Sequence, residues 1–273
     1  MSSENLVLNV LISTIDAGID NIKKILLPKR ADVVYIVSHQ YRDNKYKYIP
    51  TELDRDDVIV SQIFGQGLSI SRNNAINVAK GDIAVLSDDD VVYTNKFFDS
   101  IIEKFIDDKI DAALFKIMTF EDESDYKRYP NESYKLSKNN FHSPSSIEIA
   151  FRINKIKGKY FFDKRFGLGS KLDGGEEYLF VKDLLKGGMN VFFYPTYIVI
   201  HSKDSFIKQY SRYHKRRNRV TGAIEAREYG IFAYLKAFIS TIRIFNELIK
   251  NKKNPLIYLL ERYSGINYIM FSK

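Results

Sequence analysis

Continuous apolar runs alternate with amphipathic stretches along the first part of the chain. The apolar runs lie at residues 6–12, 33–37, 58–63 and 83–86. Between them, residues 19–27 and 69–79 place apolar side chains at helical spacing. Short apolar runs are typical of parallel strands that are buried on both faces, and strands that alternate with helices form βαβ units. The pattern predicts an α/β fold whose mostly parallel, mixed sheet is flanked by helices.

The polar residues that follow these strands are the candidate functional positions. Ligands of such sheets bind at the carboxyl ends of the strands. The candidate segments are therefore residues 13–16, 38–40, 65–72 and 87–90. Residues 121–146 are polar and punctuated by two prolines, and we interpret them as a variable excursion over the site.

The last part of the chain has a different, helical and basic pattern. We expect a catalytic domain over residues 1–203 and a basic amphipathic helical extension over residues 204–273. A membrane span needs about 20 predominantly apolar residues. The most apolar late stretch, residues 231–249, is interrupted by Lys236, Arg243 and Glu247. We predict that this extension lies on a membrane and does not cross it.

The net charge of +8 is concentrated in this extension. Residues 203–273 contain 15 Lys/Arg and 5 Asp/Glu, a net charge of +10, whereas residues 1–202 carry −2. Such a segment indicates an anionic partner, either a membrane surface or a nucleic acid. The tyrosines and basic residues of residues 210–219 suit both partners, because bases stack on aromatic rings and both partners present phosphates.

The composition excludes several classes of protein. A hydrophobic content of 45% is enough for a full core, which excludes a disordered chain. The absence of cysteine excludes disulfides, thiolate catalysis and cysteine-ligated metals. No basic stretch precedes an apolar one at the start of the sequence, so we expect no signal peptide and a cytoplasmic location.

Three consecutive carboxylates form the strongest chemical signal. Asp88, Asp89 and Asp90 follow the apolar run at residues 83–86. Adjacent carboxylates repel one another, but at the end of a buried strand they offer the hard oxygen ligands that Mg²⁺ and Mn²⁺ prefer. The alternative interpretation is an acidic turn or helix cap.

The residues upstream of this triplet make the signal more specific. The run from Gly67 to Ile83, GLSISRNNAINVAKGDI, followed by the acidic triplet, resembles the family 2 glycosyltransferases of the GT-A fold, over roughly residues 5–205. The resemblance implies a Rossmann-like domain in which residues 13–16 cradle the nucleoside and Arg72 supports the pyrophosphate. The implied nucleotide-sugar-binding residues are Ser13, Thr14, Asp16, Gly67, Arg72, Asn73 and Asp88.

A second motif, Gly174-Gly175-Glu176-Glu177, opens a helix. Acids in a first helical turn are also favoured by the helix dipole. The resemblance implies that Glu177 is the catalytic base, at a position where the family usually has Asp, and that Glu176 orients the acceptor. His201, after the last strand, is either a structural histidine or, by the resemblance, a ligand of the metal together with Asp88, Asp89 and Asp90.

The resemblance implies an inverting enzyme that uses Mn²⁺ or Mg²⁺ and a nucleotide-sugar donor, for which we expect a UDP-sugar. We expect a saccharide or lipid-linked acceptor, an anionic membrane surface on the inner face of the cell membrane, and no nucleic acid partner. Residues 38–40 depart from the family, which usually has an acidic turn there. The alternatives are a sugar nucleotidyltransferase, although residues 13–18 lack the basic residue that a triphosphate needs, and a nucleic-acid-binding protein.

Overall fold

The computed structural model describes residues 6–138, 140–141, 143–203 and 212–271. The chain divides into two compact units. The first comprises Met1–Lys164 and Glu177–Lys203, and the second comprises Arg165–Glu176 and Asp204–Lys273. The first unit contains the sheet, whereas the second is built from helices and one loop.

The sheet of the first unit has eight strands in the order β3-β2-β1-β4-β7-β5-β8-β6. Their bounds are β1 Leu8–Ile15, β2 Val33–Tyr41, β3 Val58–Phe64, β4 Ile83–Ser87, β5 Ala112–Met118, β6 Tyr134–Lys135, β7 Ile149–Arg152 and β8 Val191–Ile200. Strand β1 pairs in parallel with both β2 and β4, and β2 pairs in parallel with β3. Strand β7 runs antiparallel between β4 and β5. The predicted mixed, mostly parallel sheet is confirmed.

Both faces of the central strands are buried, as the continuous apolar runs predict. In β1, Val10 and Ile12 belong to one apolar cluster, with Phe98. Leu11, between them in sequence, points to the opposite face and belongs to a second cluster, with Phe180. Because successive strand side chains alternate between faces, both sides of the sheet are apolar and both are covered.

The helices of the first unit are α1 Leu68–Val78, α2 Asn95–Lys104, α3 Ile153–Ile156 and α4 Glu176–Lys186. The first residue of α4, Glu176, is grouped with the second unit. The helical spacing of residues 19–27 corresponds instead to a 3-10 helix, Asp16–Lys24. Asp16, which opens it, has a positive φ of 51°. The tighter helix turns the chain directly out of β1 and keeps the following residues close to the strand end.

The second unit contains α5 Lys215–Tyr229, α6 Ala233–Arg243, α7 Phe245–Lys250 and α8 Pro255–Phe271. The predicted helical pattern is therefore present from α5 onward, and residues 204–211 lie outside the described residues. At Gly222 a side chain would collide with the Arg262 backbone, and at Gly265 with the Arg219 backbone. These two glycines let α5 and α8 pack with their backbones nearly in contact.

In the part of the chain that the structure describes, no helix is both long enough and apolar enough to span a bilayer.

Candidate functional site

The acidic turn lies at the carboxyl end of β4, where the sequence predicted a site. Asp88 lies 3.6 Å from the guanidinium of Arg72 and accepts a hydrogen bond from the Ser146 hydroxyl at 3.3 Å. Asp89 accepts a hydrogen bond from the Thr14 hydroxyl at 2.5 Å. Asp88 and Asp89 therefore have different partners.

The third carboxylate, Asp90, pairs with a histidine at the end of β8. Its Oδ1 lies 3.2 Å from His201 Nε2. His201 Nδ1 lies 2.5 Å from the Ser202 carbonyl oxygen, and since a carbonyl can only accept, Nδ1 carries a proton. This backbone contact fixes the ring so that Nε2 points toward the acidic turn.

The surroundings shift the pKa values of these groups in different directions. Burial raises the pKa of Asp88, and the Arg72 cation opposes that shift. Burial also raises the pKa of Asp89, to about 6. The hydrogen bond from His201 lowers the pKa of Asp90, and the same bond raises the pKa of His201. The pairing therefore favours the charged forms of Asp90 and His201. Burial disfavours the charged forms of Asp88 and Asp89 unless a cation is near.

The donor atoms of this turn fit a divalent cation. Carboxylate oxygens and a histidine whose second nitrogen donates to a carbonyl are common metal ligands. Within the described ranges, no three His, Asp or Glu side chains form a ready-made metal cluster. Mg²⁺ is often held by one or two carboxylates together with substrate phosphates, so the donor set suits an ion whose coordination a diphosphate completes.

Arg72 connects the acidic turn to the candidate base. The side chain projects from α1 and is only 2% exposed. Its Nη1 donates to Glu177 Oε1 at 3.0 Å, and its guanidinium lies 5.5 Å from the centre of the Phe162 ring. Glu177 lies in α4 and is half-buried. Because Asp88 lies beside the same guanidinium, Arg72 brings the two carboxylates to one cation.

Glu176, the other candidate of this motif, begins α4 and is buried. Its predicted role in orienting the acceptor stays a prediction, as does the role of Glu177 as the base.

The predicted nucleotide segment lies at the carboxyl end of β1. Ser13 and Thr14 are buried there, and among the described residues the Ser13 hydroxyl has no hydrogen-bond partner. Gln40 Nε2, on the neighbouring strand, is likewise buried without an acceptor. At Gly18 a side chain would collide with the Asp89 carboxylate and the Thr14 hydroxyl. A glycine at this position therefore permits the contact between the first loop and the acidic turn, a requirement that sequence reasoning missed.

Asp16 is tied to the end of β2. Its carboxylate accepts hydrogen bonds from the Arg42 backbone N–H at 2.9 Å and from Arg42 Nε at 2.7 Å. Burial alone would raise the pKa of Asp16, but these bonds hold it below its usual value. The Asp16 carbonyl lies 2.9 Å from His39 Nε2, and Gln62 Nε2 lies 3.2 Å from His39 Nδ1. This part of the site is built on residues 39–42, which overlap residues 38–40, where the sequence departs from the family pattern.

Two further predicted residues have positions that α1 explains. Gly67 precedes the helix with a φ of 130°, a conformation that favours glycine. The Asn73 amide donates to the Phe162 carbonyl and accepts from the Phe162 N–H, both at 2.8 Å. This pairing gives Asn73 a positioning role, and its predicted contact with the nucleotide-sugar stays a prediction.

Side chains of residues 121–146 contact the site, which agrees with our interpretation of this segment as an excursion over the site. The Tyr126 ring packs edge-on against His201, with ring centres 5.8 Å apart. Glu123 accepts hydrogen bonds from the Ser202 hydroxyl at 2.6 Å and from the Lys203 N–H at 2.5 Å. These side chains fix the chain around His201, and no motif in the sequence marked them.

The fold agrees with comparisons to known proteins. The crystal structure of S. aureus TarS 1–349 matches with a TM-score of 0.56 and 15% identity, covering 81% of this chain and 65% of that one. The crystal structure of the same protein in complex with UDP-GlcNAc matches with a TM-score of 0.54 and 15% identity, covering 81% and 66%. The chain thus spans about 65% of the length of TarS 1–349. The curated proteins contain no significant match.

A family model provides the assignment. The model described as "Glycosyl transferase family 2" matches residues 15–166, which include α1 and the acidic turn. The resemblance to this family and the GT-A fold that it implied are confirmed. The chain belongs to glycosyl transferase family 2.

Proposed function

We propose that the protein transfers a sugar from a UDP-sugar to a hydroxyl group of a saccharide or a lipid-linked saccharide, with inversion at the anomeric carbon. The observation that carries the proposal is the pairing of Glu177 with Arg72, beside Asp88. It brings a base candidate next to the acidic motif that would face the diphosphate. The TarS structure in complex with UDP-GlcNAc supports the choice of donor nucleotide.

Glu177 accepts the proton of the acceptor hydroxyl while that oxygen bonds to the anomeric carbon. The bond from the anomeric carbon to the diphosphate breaks, and both electrons leave with the diphosphate oxygen. One base and one displacement give the product the opposite anomeric configuration. Arg72 holds the Glu177 carboxylate in place for this step, because its own position is fixed by burial and by Phe162.

The chain's own side chains supply the donor site. Asp88, Asp89, Asp90 and His201 would hold Mn²⁺ or Mg²⁺, whose charge would stabilise the departing diphosphate. The buried Ser13 hydroxyl and Gln40 amide lack partners within the described residues, which supports a polar ligand such as a nucleoside at this edge. Buried polar groups are otherwise almost always hydrogen-bonded.

A titration series tests the donor assignment. UDP, GDP, CMP and dTDP are each titrated calorimetrically with and without Mn²⁺, and we expect UDP to bind most tightly and to require the metal. UDP-GlcNAc is then incubated with the enzyme, and UDP release is measured for the wild type and for Glu177→Gln. Preference for another nucleotide would overturn the UDP assignment. Absence of sugar consumption with every nucleotide-sugar offered would overturn the transferase proposal.

We also propose that the protein binds the inner face of the cell membrane through its helical unit. One face of α6 exposes Phe232 (which precedes the helix), Leu235, Ile239 and Ile242 at a spacing of three or four residues. Neighbouring exposed apolar side chains are Phe245, Ile249, Leu256, Ile257 and Leu260. Large exposed apolar areas mark interaction sites, and the exposed cations beside them, Arg243, Lys250 and Lys252, favour an anionic lipid surface.

Vesicle co-sedimentation tests this proposal. We expect binding to phosphatidylglycerol vesicles, weaker binding at high salt, and loss of binding in Leu235→Ser/Ile239→Ser. The matched control, Ile106→Ser, alters an exposed apolar residue of the first unit and should bind as the wild type does. Equal binding to neutral vesicles, or a concentration-dependent dimer that the double substitution abolishes, would contradict the membrane assignment.

A further inference from the structure

A cavity of about 480 Å³ is lined entirely by residues of the second unit. It is open to solvent on one side and bordered by the loop before α4, the first turns of α5, and α8. The lining residues are Lys171, Leu172, Asp173, Lys215, Arg216, Arg219, Val220, Glu261 and Ser264. Its volume falls in the range of about 300–1,000 Å³ that is usual for small-ligand sites.

The charges around the cavity are unbalanced. Asp173 is bound by Arg216 at 2.8 Å. Glu261 is bound by Lys253 at 2.7 Å and accepts a hydrogen bond from Asn218 at 2.6 Å. Both carboxylates of the lining are therefore already engaged. Across the described ranges, Lys171, Lys215 and Arg219 form no ion pair, so three cations face the cavity without a counter-charge.

One of these cations has an unsatisfied buried donor. Arg219 Nε is inaccessible to solvent and has no acceptor among the described residues. The Arg219 guanidinium and Lys171 Nζ each lie 5.5 Å from the centre of the same ring, Tyr268. Because a buried N–H without an acceptor is costly, this arrangement points to an anionic oxygen as the missing partner.

We propose that this cavity binds a phosphate or diphosphate group carried by the acceptor substrate, an inference that rests on the proposed transferase function. Lysine and arginine are the residues that bind phosphate through charge-assisted hydrogen bonds. The start of α5 adds the partial positive charge of a helix N-terminus. The volume left beside the cations, with the Ser264 hydroxyl in its wall, gives room for an attached sugar.

The chain sequence links this cavity to the base. Asp173 precedes Glu177 by four residues, so the loop that lines the cavity leads directly into the helix that carries the base candidate. Gly175 has a φ of 91°, and a Cβ there would lie 2.8 Å from Ile224 Cδ1 of α5. The loop therefore lies tightly on α5, and a phosphate held by α5 and Lys171 orders the residues next to Glu177.

A binding experiment that needs no turnover tests the cavity. Inorganic pyrophosphate is titrated into the full-length protein by calorimetry with EDTA present, because the donor site is expected to bind a diphosphate only together with the metal. We expect one pyrophosphate per chain and an affinity that falls with salt. Lys171→Gln/Lys215→Gln should weaken binding at least tenfold. Both lysines are exposed, so this variant should keep the wild-type melting temperature.

The matched control removes the same charge elsewhere. Lys109→Gln/Lys186→Gln changes two exposed lysines of the first unit and should bind pyrophosphate as the wild type does. Equal affinity in the wild type and in Lys171→Gln/Lys215→Gln would overturn the site. An equal loss in both double variants would show a general charge effect and would also overturn it.

Two further measurements separate this inference from the proposals on which it rests. UDP-sugar hydrolysis by the wild type tests the transferase proposal alone, because no acceptor is present. Co-sedimentation with phosphatidylglycerol vesicles separates an acceptor phosphate from a lipid headgroup. We expect Lys171→Gln/Lys215→Gln to sediment as its control does. A selective loss of sedimentation would assign the cavity to membrane headgroups and overturn the acceptor assignment.

Discussion

Arg72 donates a hydrogen bond to Glu177 across 105 residues of sequence, at a distance of 3.0 Å. The same guanidinium lies 3.6 Å from Asp88. A buried cation is costly unless carboxylates neutralise it, and these two carboxylates lie beside the buried Arg72 guanidinium. Arg72 therefore connects the base candidate to the acidic turn.

Glu177→Gln is expected to slow sugar transfer by about 10²–10⁴-fold, because the amide keeps the shape of the side chain but cannot accept the acceptor's proton. The Gln oxygen can still accept the hydrogen bond from Arg72, so UDP affinity should be unchanged. Transfer rate and UDP affinity are measured on the same preparation. Glu176→Gln is the comparison: if it is the more damaging change, Glu177 is not the base.

Removal of the metal is expected to abolish transfer, and added Mn²⁺ should restore it. Asp90→Asn should weaken Mn²⁺ binding, because it removes an anionic oxygen and the pairing with His201. Bound Mn²⁺ is measured by electron paramagnetic resonance in the presence of UDP. Asp122→Asn, a change in the neighbouring excursion, serves as the control. Full activity in excess EDTA would exclude the metal from the mechanism.

Gly18→Ala is expected to weaken UDP binding about tenfold or more, which corresponds to about 1.4 kcal/mol. The added methyl group would displace the Asp89 carboxylate or the Thr14 hydroxyl, and so separate the first loop from the acidic turn. Ala17→Ser, at the exposed neighbouring position, should bind UDP normally. Wild-type affinity in Gly18→Ala would show that the contact between Thr14 and Asp89 is dispensable.

The parallel half of the sheet could be predicted because its strands are continuous apolar runs. Strand β7 could not be predicted as antiparallel, since Ile149–Arg152 is only four residues long and such a run carries no signal for direction. Its pairing with β4 and β5 depends on packing. Likewise, the spacing of residues 19–27 could not distinguish a 3-10 helix from an α-helix.

At the candidate site, motifs located the side chains but not their partners. Thr14 and Asp89 are 75 residues apart and meet because β1 and β4 are neighbours in the sheet. The pairing of Arg72 with Glu177 depends in the same way on how α1 and α4 pack. Such contacts are set by strand register and helix packing, which the spacing of a motif along the chain does not encode.

Glu148→Ala is expected to lower the free energy of unfolding by about 3 kcal/mol, because it leaves the partly buried Lys127 ammonium and the Tyr129 hydroxyl without their shared carboxylate. Glu148 is fully buried, and it binds Lys127 Nζ at 2.6 Å and the Tyr129 hydroxyl at 2.6 Å. Unfolding in urea is followed by circular dichroism. Glu103→Ala, at an exposed position of α2, should change stability by no more than about 0.5 kcal/mol. Similar effects of the two substitutions would contradict the assigned role of Glu148.

His39 is expected to make stability depend on pH. Burial lowers the pKa of His39 below its usual 6.5, although the hydrogen bond to the Asp16 carbonyl opposes that shift. Between the lowered pKa and 6.5 the unfolded chain therefore binds a proton that the folded chain does not, so stability is full above about pH 6.5 and falls as the pH drops below it. Each pH unit in that window lowers the free energy of unfolding by up to about 1.4 kcal/mol.

The free energy of unfolding is measured from pH 8 to pH 5 for the wild type and for His39→Gln. The difference between the two curves isolates this histidine from the acidic groups. The stability advantage of the wild type should shrink as the pH falls, and two parallel curves would show that His39 takes up its proton equally in both states.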